Sequence, residues 1–290
     1  MLDCIIIGSG VAAVSAALTL QANAISFEIL GDKNLSKKIY KAESVHNYPG
    51  LTDVSGEAFN EALKAQLDAA KIAITEKRAV GVYAMKDKFI VTTNDNETKE
   101  SRTVILACGV ETGKQIDGED AFMGRGVSYC ATCDGFLYRG KKIAVICFSK
   151  SLEGEIDHLS HFASELYLFP MYKNVEIDRE NVKKIMQMPT KITGGLKADK
   201  LIFSPKKAGD IEELSVDGVF ILKESLSPSA LVYGLTTENG HVVVDRDMAT
   251  NLKGLYAAGD CTGRPYQYAK AVGEGNVAAH SVSEFLSKKE

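Results

Sequence analysis

An apolar run, Asp3-Cys4-Ile5-Ile6-Ile7, leads directly into Gly8-Ser9-Gly10-Val11-Ala12-Ala13 and then into a small-residue stretch reaching about Ala22. This order of strand, glycine turn and helix constrains the fold more than any other feature of the chain. The G-x-G-x-x-A spacing has a physical reading at each position. Gly8 permits the tight turn, Gly10 lets a pyrophosphate approach the backbone, and Ala13 lets the helix pack closely on the strand. The helix N-terminus offers free N–H groups and a positive dipole end to the phosphates. A second strand, Ile25 to Leu30, completes a βαβ opening. Glu28, near its end, either meets a ribose hydroxyl or is a polar strand position.

Downstream, residues 56–71 have helical periodicity, about 79–93 alternate and turn at Lys86-Asp87-Lys88 like a hairpin, and Thr103–Ala107 is a buried strand ending in Cys108-Gly109. From about Gly113 a second unit echoes the first, with a strand at Lys142–Cys147, a helix over 152–163 and a strand over 165–169. Further strands follow near 199–203 and 218–222. The chain then returns through Val242–Val244 and Leu255–Ala258 to Gly259-Asp260 and a long helix from about Gln267 to Leu286. The fold class this predicts is α/β: two Rossmann-like, three-layer ββα nucleotide-binding domains. The second, residues 113–241, is inserted in the first, residues 1–112 and 242–290.

Composition sets wide bounds on function. The 290 residues suit two domains, with 45% hydrophobic and 25% charged residues, an ordinary globular balance. A net charge of −4 argues against a nucleic-acid binder that works by neutralising phosphates. No stretch is long and uncharged enough to span a bilayer. The apolar N-terminus lacks a positive n-region and carries Asp3, so it is not read as a signal peptide. The expected location is the cytoplasm.

Six cysteines are present. A reducing cytosol disfavours structural disulfides, and Cys4, Cys108, Cys147 and Cys261 read as small buried hydrophobes. Cys130-Ala131-Thr132-Cys133-Asp134-Gly135 is different. Two cysteines at this spacing can close a small, reducible disulfide; one thiolate attacks a partner disulfide and the other resolves the mixed disulfide. A zinc site usually needs a second Cys/His pair. His158 and His161, at i,i+3 on one helix, are the candidates for that and otherwise read as polar-face residues. No metal is expected.

Taken in order, Gly8–Ala13, His46-Asn47-Tyr48-Pro49-Gly50, Ala107-Cys108-Gly109, Gly124-Arg125-Gly126-Val127, Cys130–Gly135 and Ala257-Ala258-Gly259-Asp260 span nearly the whole chain. In these motifs the sequence resembles the low-molecular-weight flavoprotein thioredoxin reductases. The resemblance implies FAD in the first domain. Its contacts would come from Gly8, Ser9, Gly10, Ala12 and Ala13, from Leu30 and Gly31, from Lys38 and Ile39, and from Asn47. Ala107, Cys108 and Gly109, Gly259 and Asp260, and Tyr266, Gln267, Tyr268 and Ala269 would complete the site. It also implies that Cys133 faces the flavin, that Cys130 attacks thioredoxin, and that Asp134 exchanges protons with the thiols; Asp134 otherwise reads as a helix N-terminal residue. A homodimer follows from the family, as does a rotation of the second domain that exposes Cys130.

The chain departs from the family pattern at the NADPH site. The strand Lys142–Ile146 is followed by Cys147-Phe148-Ser149-Lys150-Ser151-Leu152, with Cys147, Ser149 and Leu152 where two glycines and an alanine should stand. Phe148 would project into the phosphate path. Where relatives carry a basic cluster for the 2′-phosphate, this chain reads Phe169-Pro170-Met171-Tyr172. Ser36-Lys37-Lys38-Ile39 replaces a Gly-Gly pair, and Tyr266 replaces an arginine. The basic run Lys33, Lys37, Lys38 and Lys41 is either a solvated loop or a docking patch for an acidic electron carrier.

The resemblance is therefore to the NADPH-motif-lacking, ferredoxin-dependent branch. A ferredoxin near −400 mV and a thioredoxin near −270 mV differ by about 130 mV, roughly 6 kcal/mol for an electron pair. A flavin joins such a one-electron donor to a two-electron acceptor. The sequence leaves three rivals open. One is an NAD(P)H-dependent reductase with an atypical nucleotide loop, for which Thr193-Gly194-Gly195 is the only candidate. The others are a flavin dithiol oxidase and a redox sensor without turnover.

Overall fold

The computed structural model describes the chain except Lys41, residues 111–115, Lys206, Ala208, Ser225, Lys289 and Glu290, and the side chain of Lys37. The expected start of the inserted domain, at 113, lies outside the described residues. The chain forms two compact units. The first holds Met1–Thr93, Glu97–Glu111 and Ser227–Glu290; the second holds Asn94–Asn96 and Thr112–Leu226.

In chain order the elements are β1 (Leu2–Ile7), α1 (Val11–Ala22), β2 (Phe27–Leu30), α2 (Lys37–Tyr40), α3 (Gly56–Ala69), β3 (Ile74–Thr75), β4 (Ala79–Ala84), β5 (Phe89–Thr93) and β6 (Thr98–Leu106). The second unit follows with β7 (Val127–Ser128), α4 (Ala131–Asp134), β8 (Lys142–Cys147), α5 (Glu153–Ser160), β9 (Glu165–Pro170), β10 (Val182–Lys184), β11 (Lys191–Gly194), β12 (Ala198–Ile202), β13 (Glu213–Ser215) and β14 (Gly218–Leu222). The return comprises α6 (Pro228–Leu231), β15 (Thr237–Glu238), β16 (His241–Val242), β17 (Leu255–Ala257) and α7 (Tyr268–Ser287).

The first unit is built on a sheet ordered β3-β2-β1-β6-β5-β4, with β17 pairing β6. β1, β2, β3, β6 and β17 run parallel, and β4 and β5 form an antiparallel meander with β6. The central strands are buried on both faces, so they read as continuous apolar runs rather than alternating ones. On one face Cys4, Ile6, Ile29 and Ile105 pack with α1, α3 and α7. α3 presents Phe59, Leu63 and Leu67 to this core at i, i+4 spacing, and the Ser55 side chain caps its N-terminus by accepting from Ala58 N at 3.1 Å. α1 and α7 cross closely because the contact is made of small residues. A Cβ on Gly275 would lie 2.2 Å from Ala12 O.

The second unit has a wholly parallel sheet, β10-β9-β8-β14-β7, and a separate antiparallel sheet, β11-β12-β13. Ile143, Val145, Leu166, Leu168, Phe220 and Leu222 face α4 and α5. Each unit therefore has its own sheet, mixed in the first and parallel in the second, and its own apolar core. The α/β class expected from the sequence is the one observed. Among the described residues, no helix is long and apolar enough to cross a membrane.

Candidate active site

Cys130 and Cys133 are joined in a disulfide, with Cα atoms 5.3 Å apart. Cys130 is the extended residue that starts α4, and its Sγ accepts the Cys133 N–H at 3.2 Å. Thr132 Oγ1 lies 3.5 Å from the same sulfur. The Cys130 N–H donates to Ser128 Oγ at 3.1 Å, which fixes the backbone before the sulfur. Thr132 Oγ1 gives its own proton to Asn94 O at 2.7 Å, so on reduction it is the Cys133 N–H that would favour negative charge on Cys130, the property of an attacking thiol. Cys130 is 7% exposed and Cys133 partly exposed. Asp134 ends α4, half-buried, with its N–H on Cys130 O at 3.3 Å. Burial raises the Tyr138 phenol above its ordinary range, and the Asp134 charge adds to the effect. Just beyond, Phe136 and Leu137 are 57% and 54% exposed.

Next to the redox segment is a buried charge network that sequence reading missed. The Lys223 ammonium lies 2.8 Å from Glu119 Oε1, and both side chains are 1% exposed. Tyr129 O–H donates to the same carboxylate oxygen at 2.5 Å, and Ile116 N–H donates to Oε2 at 2.9 Å. The ammonium also sits 5.4 Å from the Phe148 ring centre and 5.9 Å from that of Tyr129. The signal that could have found it is a lysine directly after the wholly apolar strand Gly218–Leu222.

The loop that the family pattern assigns to a nucleotide pyrophosphate is closed by the chain itself. β14 lies parallel to β8 with Leu222 opposite Cys147, so residues 148–151 and 223–224 emerge at one sheet edge. Glu224 Oε1 accepts from Ser149 Oγ at 2.7 Å and from Ser151 Oγ at 2.9 Å. In place of glycine N–H groups open to phosphate, the loop has two serines turned onto an exposed carboxylate of the same chain. The segment after β9 is closed in the same manner. Tyr172 O–H and Glu176 N–H donate to Glu153 Oε1 at 2.9 and 3.0 Å. Burial and that carboxylate push the Tyr172 phenol up. The alternative loop at 193–195 is a hairpin turn between β11 and β12, where a Cβ on Gly194 would lie 2.0 Å from Lys197 O. It has no strand–turn–helix context.

In the first unit the expected cofactor residues gather where the parallel strands end, the edge at which open α/β sheets bind ligands. Gly8 N–H donates to Leu30 O at 2.8 Å, Ala107 N–H to Ile7 O at 2.8 Å and Ala258 N–H to Leu106 O at 2.9 Å. Ser9 Oγ accepts from Asp32 N at 3.0 Å, tying the glycine loop to the end of β2 beside Gly31. Gly8 has φ +116°, and a Cβ there would lie 2.2 Å from Ala107 O; Gly10 has φ −83° and open space at its Cβ position. The first glycine is required by the fold. The second leaves a bare approach to the uncapped start of α1, the cradle a pyrophosphate needs. Ala13 is 0% exposed, as close helix–strand packing requires.

The other expected contacts divide by position. Ile39 is buried in the apolar core, and the Ala12 side chain is covered by the approach of Gly259. Lys38, Asn47, Tyr266, Gln267 and Ala269 are exposed; Cys108, Gly109, Asp260 and Tyr268 are partly exposed. Tyr268 O–H donates to Lys38 O at 3.4 Å, and the Tyr266 hydroxyl is hydrogen-bonded to His241 Nε2 at 2.6 Å. Glu28 lies 2.7 Å from Thr75 Oγ1 and 2.9 Å from Lys99 Nζ, so its carboxylate is paired within the sheet. In the basic run, Lys33 is paired with Glu76 at 3.0 Å and Lys38 Nζ donates to Val110 O at 3.4 Å. Lys41 and the Lys37 side chain lie outside the described residues.

Glu274, in the Gly273-Glu274-Gly275 stretch that the family resemblance includes in the C-terminal flavin-binding segment, centres a further cluster. Glu274 Oε2 accepts from Gly259 N at 2.8 Å, Thr262 Oγ1 at 2.7 Å and Lys270 Nζ at 3.0 Å. Lys270 also donates to Gly259 O at 2.9 Å. The cluster holds the loop carrying Asp260 in one conformation. Its sequence signal was a Lys–Glu pair at i,i+4 in the first turns of α7.

Residues 2–147 and 174–275 match the family model for pyridine nucleotide-disulphide oxidoreductases. The chain belongs to that family. It is a flavoprotein disulfide reductase of the thioredoxin-reductase type, and its cofactor is FAD. Within the family it is similar to the thioredoxin reductase of Helicobacter pylori strain J99, 30% identical over 99% of each chain. It is also similar to the thioredoxin reductase of Mycoplasma genitalium, 29% identical over 97% of this chain and 94% of the other. Among solved structures, a ferredoxin-flavin thioredoxin reductase from Clostridium acetobutylicum superposes with a TM-score of 0.88 and 42% identity over 99% of both chains. The glycine cradle, the donor-bearing strand ends and the fixed Asp260 loop fit FAD.

Proposed function

We propose that this reductase takes electrons from reduced ferredoxin and delivers them, through bound FAD and the Cys130–Cys133 pair, to the disulfide of thioredoxin. The observation that carries the choice of donor is the internal closure of the nucleotide loop by Glu224 and Glu153. A pyrophosphate entering there would displace a carboxylate from two serines and meet like charge. Two independent halves of a nucleotide site are blocked by hydrogen-bonded acids, which is a stronger departure than missing glycines. The likeness to the Clostridium acetobutylicum enzyme supports the same donor.

FAD would be held by Gly8–Ala13, the end of β2, residues 107–109 and the Gly259-Asp260 loop, and it supplies the conversion between single electrons and an electron pair. In this reading the protein's own steps are thiol chemistry. Cys130 is nearly buried in the disulfide state and has to be uncovered before it attacks. Its thiolate, favoured by the Cys133 N–H, displaces one sulfur of thioredoxin. Cys133 then attacks Cys130, releasing dithiol thioredoxin and re-forming the disulfide. Asp134 is assigned the proton exchange with these thiols. Phe136 and Leu137 supply an apolar contact beside the pair for thioredoxin. A cytoplasmic homodimer is part of the same proposal.

The test is anaerobic flavin absorbance after adding NADPH, NADH, or reduced ferredoxin with thioredoxin present. Bleaching by ferredoxin alone, with thioredoxin thiols appearing, is expected. Rapid bleaching by NADPH would sink the reading of Glu224 as an obstacle.

A further inference from the structure

Cys130 is set in place from both sides of its backbone. Upstream, Ser128 ends β7 opposite Phe220 of β14, and its Oγ takes the Cys130 N–H at 3.1 Å. Tyr129, between them, is 5% exposed and donates its hydroxyl to Glu119 Oε1 at 2.5 Å. Lys223, which follows β14, puts its ammonium 2.8 Å from that same oxygen. Glu119 is itself fixed to a turn: its Oε2 accepts from Ile116 N at 2.9 Å, and its own N–H donates to Ile116 O at 3.0 Å. Downstream, Ala131 is wholly buried in the core of the second unit, and the Cys133 N–H reaches back to Cys130 Sγ at 3.2 Å.

A buried ion pair is a poor source of stability, because desolvation of both charges offsets most of their attraction. What the Glu119–Lys223 pair does supply is an acceptor held from two sides. The Tyr129 phenol needs one, since a buried hydroxyl left unpaired is costly.

We propose that Tyr129 is the positioning residue for Cys130. Anchored on the Glu119–Lys223 pair, it keeps residue 130 in the extended conformation, φ −120° and ψ 103°, in which its sulfur receives the Cys133 N–H. The inference rests on the reading of Cys130 as the attacking sulfur. An N–H donated to a thiolate favours the charged form, so Cys130 is the better nucleophile while this geometry lasts. Without the phenol bond, residues 129–130 gain backbone freedom and the sulfur leaves the N–H for part of the time. The network exchanges neither proton nor electron with a substrate; it acts through the chain. The other groups about Cys130 are Thr132 Oγ1, 3.5 Å from the sulfur, Ser128 on its N–H, and Asp134 at the end of α4. All three stay unaltered in the test.

The test uses the FAD-loaded protein, reduced under argon and freed of reductant. It is alkylated with iodoacetamide at concentrations where the rate is first order in reagent, and Cys130 modification is followed by peptide mapping as a function of pH. Neither ferredoxin nor thioredoxin is present, so the result is independent of the electron donor. In the native protein Cys130 is expected to react before Cys133. Tyr129→Phe removes only the hydroxyl and should move the midpoint of the Cys130 profile up by about one pH unit, slowing alkylation at neutral pH about tenfold. Glu119→Leu with Lys223→Met removes the acceptor and both charges together, orphans no ion, and should reproduce that rise. Tyr172→Phe, which takes the hydroxyl from another tyrosine–carboxylate bond of the second unit, should keep the native midpoint. A native midpoint in Tyr129→Phe or in the double variant overturns the positioning role and leaves the attacking role of Cys130 standing. So does an equal rise in Tyr172→Phe. Alkylation of Cys133 ahead of Cys130 in the native protein overturns the attacking role itself, and this inference with it.

Discussion

Single residues do separable jobs in the glycine motif. Gly8 is required by the fold, because its φ is +116° and a Cβ would meet Ala107 O at 2.2 Å. Gly8→Ala is expected to cost about 3 kcal/mol or more in denaturant unfolding, from strain plus overpacking. Gly10, with ordinary φ and open space, should tolerate alanine within about 1 kcal/mol, the usual cost at a helix N-cap. The Gly10→Ala protein should nevertheless bind FAD at least about tenfold more weakly by titration of the stripped protein. Equal stability losses for the two variants would contradict this division. The Lys223–Glu119 pair permits a second forecast. Lys223→Met leaves a carboxylate buried beside Tyr129 without its cation and should cost about 3–5 kcal/mol. Adding Glu119→Gln, which keeps an acceptor for Tyr129, should recover most of the loss; no recovery would mean that the ammonium stabilises through packing alone.

At the scale of elements, the strands were the most legible part of the chain and their ends the least. β1, β8 and β14, and the Val104–Leu106 end of β6, are apolar runs buried on both faces, a pattern visible without any partner. What the residue after each strand does depends on the neighbouring strand's end. Glu224 is an exposed acid whose partners, Ser149 and Ser151, are set only once β14 lies against β8. Glu28 was undecidable in sequence because its fate depends on Thr75 and Lys99, from β3 and β6. The helix contact between α1 and α7 follows the same logic. Gly275→Ala should force them apart over Ala12 O and lower the thermal midpoint by several degrees, as a loss of about 1–3 kcal/mol does in a chain of this size. An unshifted midpoint would mean the helices part at no cost.

The whole molecule has two units with separate cores, and FAD is assigned to the first. Stripping FAD should therefore lower the stability of the first unit by about 2.7 kcal/mol when the cofactor had been at a hundredfold its dissociation constant. Hydrogen exchange read by peptide should show the loss in β1, β6 and α7 and leave β8 and β14 unchanged. Uniform loss across both units would argue that they unfold together. Docking belongs to this scale as well. Phe136→Ala with Leu137→Ala should raise KM for thioredoxin about 10-fold, near 1.4 kcal/mol, and leave ferredoxin-driven flavin bleaching intact.

Sequence alone determined the α/β plan, the glycine cradle and the redox role of Cys130 and Cys133, because each rests on residues adjacent in the chain. Local spacing is enough to specify a turn, a helix start or a small disulfide ring. It also exposed the missing phosphate glycines, since an absence at fixed spacing needs no partner. Tertiary structure alone decided what replaced them, Glu224 and Glu153 on the loops, and it alone set Lys223 on Glu119 and Glu274 against the Asp260 loop. Each of these pairs joins residues far apart in sequence whose meeting is set by strand register. Buried polar groups take their meaning from the partner that satisfies them, and that partner is fixed only when the sheets are assembled.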